Sequence, residues 1–224
     1  MHRMDTPLVS LIIPYYKGER YIAALLDSVL SSGCEGFEIV VVNDGSPEET
    51  LAPLAAYADR IRVIEQENRG QAAARNRGLS EARGDIIAFL DQDDFWPPGR
   101  MAVLMPLLGD HDFARGMTQE VRMHADGSVE RAAPAFRPEL IGAALYRRSV
   151  FAAVGGFDET MRVGEDFDWN IRLAEAGLRE ARVADVTLCR RRHDANQSDA
   201  PDFIQDGQFM SLRKKLGRAR TASI

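Results

Sequence analysis

The stretch AFLDQDDFW, residues 88–96, runs from apolar side chains straight into three carboxylates, Asp91, Asp93 and Asp94. Like charges this close repel, and ionised carboxylates are costly to remove from water. A cluster of this kind at the end of a buried strand calls for a cationic partner. Asp91 and Asp93 are two positions apart, and in extended backbone they point to the same side. Oxygen ligands in that arrangement suit Mg2+ or Mn2+, above all where substrate phosphates fill the remaining positions. The plain alternative is a solvated loop whose acids lead into a helix after Pro97 and Pro98. An EF-hand is excluded, because the sixth and twelfth positions counted from Asp91 are Trp96 and Ala102 where that loop needs Gly and Glu. No GxGxxG follows the first strand and no GxxxxGK[ST] occurs, which argues against a dinucleotide fold and rules out a P-loop. An aspartyl-nucleophile phosphatase normally carries its DxD after the first strand, whereas here it follows the fourth.

The elements that position these residues alternate in type. The apolar run 8–13 predicts a strand that Pro14 stops, and residues 19–30 carry Tyr21, Ile22, Leu25, Leu26, Val29 and Leu30 at helical spacing. A second buried strand, 37–42, closes on the turn formers NDGS. A short helix near 48–58, a strand over 61–65, an Ala-rich helix over 70–82 and a strand over 85–90 follow. Strands joined by helices imply a mainly parallel sheet covered on both faces, with ligands beyond the carboxyl ends of the strands. The polar segments PYYKGE, NDGS, ENRG and DQDD each fall at such an end. The second half reads differently. HADGSVE, residues 124–130, has an Asp-Gly hairpin signal. RRSVFAAVGGFDE predicts a short helix ending at Gly155 and Gly156. Residues 164–177 open with acids and end in Gly, as a helix should. LREARVADVTLC predicts a further strand.

The chain has 224 residues, enough for one large domain or one domain and an appendage, with a net charge of −6 that excludes a nucleic-acid binder by bulk electrostatics. No apolar run approaches the length of a membrane span, and the start lacks the apolar core of a signal peptide. Cys34 and Cys189 lie far apart with no metal-like spacing, so both are expected as free thiols in a reducing compartment, most simply the cytoplasm.

With these segments together, the sequence resembles the family 2 glycosyltransferases of the GT-A fold. The resemblance is carried by VSLIIPYYKGERYIAALLDSVLSS, FEIVVVNDGSPEET, NRGQAAARNRGLSEARGDIIAFLDQDD, GGFDE and GEDFDWNIRLAEAG, in that order, and covers residues 7–200. It implies an α/β fold, a Rossmann-like mainly parallel sheet flanked by helices with a smaller mixed acceptor-side region. The expected division is a single domain over 1–200, with a nucleotide-sugar half (1–110) and an acceptor and catalytic half (111–200), then a C-terminal amphipathic helix and basic tail over 201–224. The resemblance assigns Pro14, Tyr15 and Glu19 to the segment lining the base and ribose, and Asp44 to the uracil or ribose side of the donor. It places Arg75 and Asn76 near the nucleotide, Asp91 toward the ribose, and Asp93, with His193 as the loosest match, on a Mn2+ or Mg2+ ion. Asp166 matches the catalytic base. Read from the residues alone, Asp168 is the rival for that role, and Trp169 is a packing residue with an acceptor-stacking platform as the alternative. The partners implied are a nucleotide-sugar donor, UDP-linked by family habit, and a glycan or lipid-linked acceptor. The activity implied is inverting transfer of one sugar, since no QxxRW-like motif or membrane segment of the processive polymerases occurs.

Elementary chemistry agrees with those roles. Departure of a diphosphate builds negative charge, which a divalent cation stabilises as a Lewis acid, and an acceptor hydroxyl needs a base to take its proton. Two alternatives stand beside this reading. A sugar nucleotidyltransferase shares the sheet but calls for a Gly-rich loop with Arg and Lys after the first strand, to which PYYKGER bears a faint likeness. A catalytically silent nucleotide-sugar-binding or scaffold protein would have no need of Asp91, Asp93 and Asp166 together. At the end of the chain, RKKLGRAR (213–220) follows apolar residues at 203, 204, 209, 210, 212 and 216. A basic amphipathic helix can lie on an anionic membrane, which would place the protein at its inner face; a solvated tail is the alternative. A homodimer is compatible with the sequence and is not demanded by it.

Overall fold

The computed structural model describes residues 9–32, 36–124, 128–136 and 140–193. Cys34, the Asp-Gly turn at 126–127 and the C-terminal segment 201–224 therefore lie outside the described residues.

Eight strands form one sheet. The first half supplies β1 (Val9–Tyr15), β2 (Phe37–Asp44), β3 (Arg62–Gln66) and β4 (Ile86–Phe89), ordered β3-β2-β1-β4 and all parallel. Next to β4 lies β7 (Ala144–Arg147), antiparallel to it, then β5 (Phe113–Met123), which carries β6 (Val129–Arg131) antiparallel and β8 (Glu180–Arg191) parallel. Two reversals bring β5 and β8 back to the direction of β4. The carboxyl ends of six strands thus share one edge, and β8 adds its last residues to the edge where β1–β4 end.

Side chains alternate between two apolar layers, as a sheet covered on both faces requires. Leu11, Ile13, Ala88, Leu90 and Leu145 point to the layer that contains α1 (Ile22–Leu30) and α4 (Arg100–Leu104). Ile12, Ile87, Phe89 and Tyr146 point to the other, against α3 (Gln71–Glu81), α5 (Arg148–Val154) and α6 (Glu165–Glu175). Trp169 is fully buried there among Tyr146, Phe151 and Phe157 and donates its indole N–H to the Gly155 carbonyl at 2.9 Å, so it is a packing residue. Gly78 lets α3 lie close on the sheet, since a Cβ there would stand 2.3 Å from Ile12 Cγ2.

Some elements depart from expectation. Pro14 does not stop β1, which continues to Tyr15. The reason is its side of the ladder: Ile12 faces β4, so Pro14 faces that way too, and the β1–β4 pairing ends at Ile12–Phe89. Its missing N–H costs nothing there. The helix expected near 48–58 is a 3-10 turn, Glu48–Leu51, and the short α2 (Ala52–Ala55). Strands β5 and β7 carry no readable alternation. FARGMTQEVRM is mostly buried although it holds Arg115 and Gln119, because Arg115 meets Glu180 and Asn170 and Gln119 donates to the carbonyls of Glu120 and Ala133.

Candidate functional site

The loops after β1, β2, β3 and β4 gather at the shared edge, where polar side chains replace the apolar ones of the strands. Asp44, the last residue of β2, is buried, and its carboxylate organises the loop after β3. Oδ1 accepts from Gln66 Nε2 at 2.7 Å and from the Arg69 N–H at 2.8 Å, and Oδ2 accepts from the Gly70 N–H at 2.9 Å. A carboxylate has about four acceptor positions, so one remains for a ligand. Gly70 at φ 90 leads directly into α3.

After β4 the chain turns tightly, with the Asp94 N–H donating to the Asp91 carbonyl at 3.0 Å. The turn corrects the expectation of two parallel carboxylates, because backbone that is not extended sends Asp91 and Asp93 to different partners. Asp91 Oδ1 accepts from Gln71 Nε2 at 2.8 Å and from Arg75 at 2.7 Å. Asp93 Oδ2 lies 3.0 Å from His193 Nε2. Asp94 points inward and accepts from the Arg191 N–H at 3.0 Å. Burial, with Asp93 and Asp91 close by, pushes its carboxyl well above the ordinary aspartate value.

The last residues of β8 reach this turn through two backbone hydrogen bonds between Phe95 and Cys189. They carry the His193 ring onto Tyr21, stacked at 4.6 Å, and the Arg191 guanidinium to 5.0 Å from the same ring. His193, a hundred residues from Asp93 in sequence, is thereby a true neighbour of it.

Arg75 joins the halves of the site. From α3 it reaches Asp91 with one nitrogen and Glu165, at the start of α6, with the other, each at 2.7 Å. Arg75 and Glu165 are buried, and Asp91 is part-open to solvent. Burial works against the Arg75 charge, but Asp91, Glu165 and Asp166 outweigh it and raise its pKa. Burial also pushes Glu165 and Asp166 above their ordinary values, Arg75 pulls both back, and the net direction is upward. Burial, with Asp91 close by, makes Asp166 a stronger base than a solvated aspartate. Asp166 is partly exposed at the first turn of α6. Asp168 is buried and held by Arg172 at 2.8 Å, which leaves Asp166 as the accessible acid of the pair.

Several assigned donor-binding residues are placed otherwise. Pro14 and Tyr15 are buried, and the Tyr15 hydroxyl donates to the Thr50 carbonyl, so neither side chain lines an open surface. Glu19 is exposed, and the neighbouring Tyr16 presents the ring that Tyr15 does not. Asn76 grips the GGFDE loop: it donates to the Phe157 carbonyl and to Glu159, and accepts from the Phe157 N–H, at 2.8–2.9 Å. It shapes the wall of the site. Arg75 is a bridge between carboxylates, since both terminal nitrogens are engaged. Glu165, Gln71 and Gln92 were not read as site residues. The only sequence signal for Glu165 was its place beside Asp166.

Asp93 and His193 have the spacing of a pair of cation ligands. Two adjacent ligands of an octahedral cation at about 2.1 Å lie about 3.0 Å apart, which matches Asp93 Oδ2 to His193 Nε2 at 3.0 Å. Among the described residues no group of three or more His, Cys, Asp and Glu is placed to hold a metal. A cation held by this pair would take its remaining ligands from phosphate oxygens and water, as Mg2+ commonly does.

Residues 10–125, just over half of the chain, match the family described as glycosyl transferase family 2. A putative glycosyltransferase of Bacillus subtilis, EpsH, is 40% identical over 48% of this chain and 32% of its own length. A chondroitin synthase of Pasteurella multocida is 29% identical over 100% of this chain and 24% of its own. The chain thus spans a third or less of these curated relatives. Among solved structures, the mannosyltransferase PcManGT of Pyrobaculum calidifontis, in complex with GDP-Man and Mn2+, superposes with a TM-score of 0.72, 20% identity, and coverage of 95% of this chain and 65% of that one. TarS of S. aureus (1–349), in complex with UDP-GlcNAc, gives 0.70 at 20% identity, covering 88% of this chain and 63% of that one. These likenesses show the GT-A fold.

Proposed function

Because the chain belongs to glycosyl transferase family 2, we propose that it moves one sugar from a nucleoside-diphosphate donor, UDP-linked, to an acceptor hydroxyl with inversion, in glycan synthesis. The observation that carries the proposal is the Arg75 bridge, which sets Asp91 of the β4 turn and the start of α6, with Asp166, at one strand edge. TarS was solved with UDP and UDP-GlcNAc, and PcManGT with GDP-Man and Mn2+, which supports a nucleoside-diphosphate donor and a divalent cation by likeness of fold, the choice of UDP resting on family habit.

The division of labour follows from the residues. The β1 loop, with Tyr16 and Glu19 exposed, and the remaining acceptor position of Asp44 receive the nucleoside. Asp93 and His193 would hold Mn2+ or Mg2+, which when bound supplies Lewis-acid stabilisation of charge on the leaving diphosphate. Arg75 fixes Asp91 and Glu165, and through the helix start it fixes Asp166. The Asp166 carboxylate takes the proton of the acceptor hydroxyl as that oxygen attacks the anomeric carbon from the face opposite the diphosphate, giving inversion. A glycan or lipid-linked acceptor approaches from the α6 side.

The test is UDP release from a panel of UDP-sugars in the presence of Mn2+, with the product anomer read by NMR. The proposal expects release by the parent, an inverted product carrying one added sugar, and loss of both in Asp166→Asn. Equal release by Asp166→Asn would reject the mechanism. A retained anomer would reject inversion.

A further inference from the structure

The second residue of DQDD is where the two sides of the site are joined. Gln92 turns its side-chain amide onto the backbone of Tyr16. Its Oε1 accepts from the Tyr16 N–H at 2.8 Å and its Nε2 donates to the Tyr16 carbonyl at 2.9 Å. This is the paired bonding that one residue of an antiparallel strand would supply, and it comes where the β1–β4 ladder has already ended. Two further features belong to the same contact. Gly18 leaves room for the amide, since a Cβ there would stand 2.4 Å from Gln92 Oε1. Lys17, between Tyr16 and Gly18, is held at φ 52, a conformation that L-residues other than Asn, Asp and His rarely adopt, and its N–H donates to Ser46 Oγ at 3.1 Å. The loop is therefore pinned on one side to the β2 turn and on the other to the β4 turn.

We propose that Gln92 is a positioning residue that holds the Tyr16–Gly18 loop in the shape that receives the nucleoside, and so ties that loop to the turn that presents Asp93. The inference rests on the donor reading given above. The side chain is specific to the task. Asn is one methylene shorter, Glu lacks the donor for the Tyr16 carbonyl, and Met keeps the length without either bond.

The experiment uses the full chain with Mn2+ throughout. UDP and inorganic pyrophosphate are titrated into the parent, Gln92→Met and Gly18→Ala, and amide exchange at Tyr16 is followed by NMR. Gln92→Met is expected to weaken UDP by about tenfold through lost preorganisation, to leave pyrophosphate unchanged and to speed exchange at Tyr16. Gly18→Ala drives the amide off from the other side and should do the same. The double variant should be no worse than either single one, because both remove one contact. A role in stability alone would lower the melting temperature and weaken UDP and pyrophosphate together. If the parent binds UDP and both variants bind it equally well, or if Tyr16 exchange does not change, the inference is overturned while the donor reading stands. If the parent binds no UDP, the donor reading falls and the inference with it.

Discussion

Replacing Arg75 by Met tests whether one guanidinium holds the site together. Met keeps an apolar stem against Phe157, whose ring lies 5.4 Å from the guanidinium carbon, but takes both ion pairs away. The pair with Glu165 is buried on both sides, at 2% and 7% exposure. Removing one partner of such a pair costs about 3–5 kcal/mol. Asp91 is 38% exposed and keeps Gln71, so solvent screening reduces its share to about 0.5–1 kcal/mol. The main loss is thus a buried Glu165 carboxylate without its cation.

That loss depends on pH in a definite direction. Burial already raises the Glu165 pKa, and Arg75 is what restrains it. Without Arg75 the folded-state value rises further above the unfolded one. In that interval the folded state binds more protons than the unfolded state, so stability falls as pH rises. The variant should lose ~4 kcal/mol near pH 8 and less near pH 5, because the loss shrinks as protonation removes the buried charge. For a chain of this size a loss of ~4 kcal/mol lowers the melting temperature by about 8–16 °C. Urea unfolding at both pH values reads it, and Arg75→Met/Glu165→Gln should recover most of the loss. Equal destabilisation at both pH values, or no recovery in the double variant, would refute the reasoning.

Asp166→Asn should lower the transfer rate by ~10²–10⁴-fold while the dissociation constant for UDP stays within about twofold, as steady-state rates and calorimetry would show. Gly78→Ala places a methyl 2.3 Å from Ile12 Cγ2, so α3 must lift from β1 at a cost of about 1–3 kcal/mol, seen as a lower urea midpoint. Arg100 is buried and donates to the carbonyls of Gly142, Ala144 and Thr187, tying β7 and β8 to α4. Arg100→Met leaves those carbonyls without their donor and should cost about 3 kcal/mol or more in the same assay.

The half of the fold that alternates apolar runs with polar ends was legible, because β1, β2 and β4 are largely buried on both faces and the punctuation of β1–β4 is local. Pro14 misled because its effect depends on which side of the strand its nitrogen faces, and sequence spacing alone does not reveal that. Strands β5 and β7 escaped because one carries buried arginine and glutamine satisfied by distant partners, and the other has four residues. Of the proposed site, Asp91 and Asp93 were readable as candidates from the DQDD cluster, and Asp166 from the resemblance alone. The pairings that orient them were not: Arg75 meets Glu165 across 90 residues and His193 meets Asp93 across 100. Tyr15 and Tyr16 are adjacent and of one type, so only the direction of β1 tells the buried ring from the exposed one. Nothing local marks Gln92, whose partner is the Tyr16 backbone 76 residues away.

The central claim is that the DQDD turn, with His193, serves a cation and a nucleoside diphosphate together. Calorimetric titration of UDP, GDP and dTDP, each with and without Mn2+, into the parent and Asp93→Asn tests it most directly. The account predicts tight binding of UDP by the parent only when Mn2+ is present, with the metal-dependent gain lost in Asp93→Asn. Absence of binding by all three nucleotides, or binding that neither Mn2+ nor Asp93→Asn changes, would contradict it.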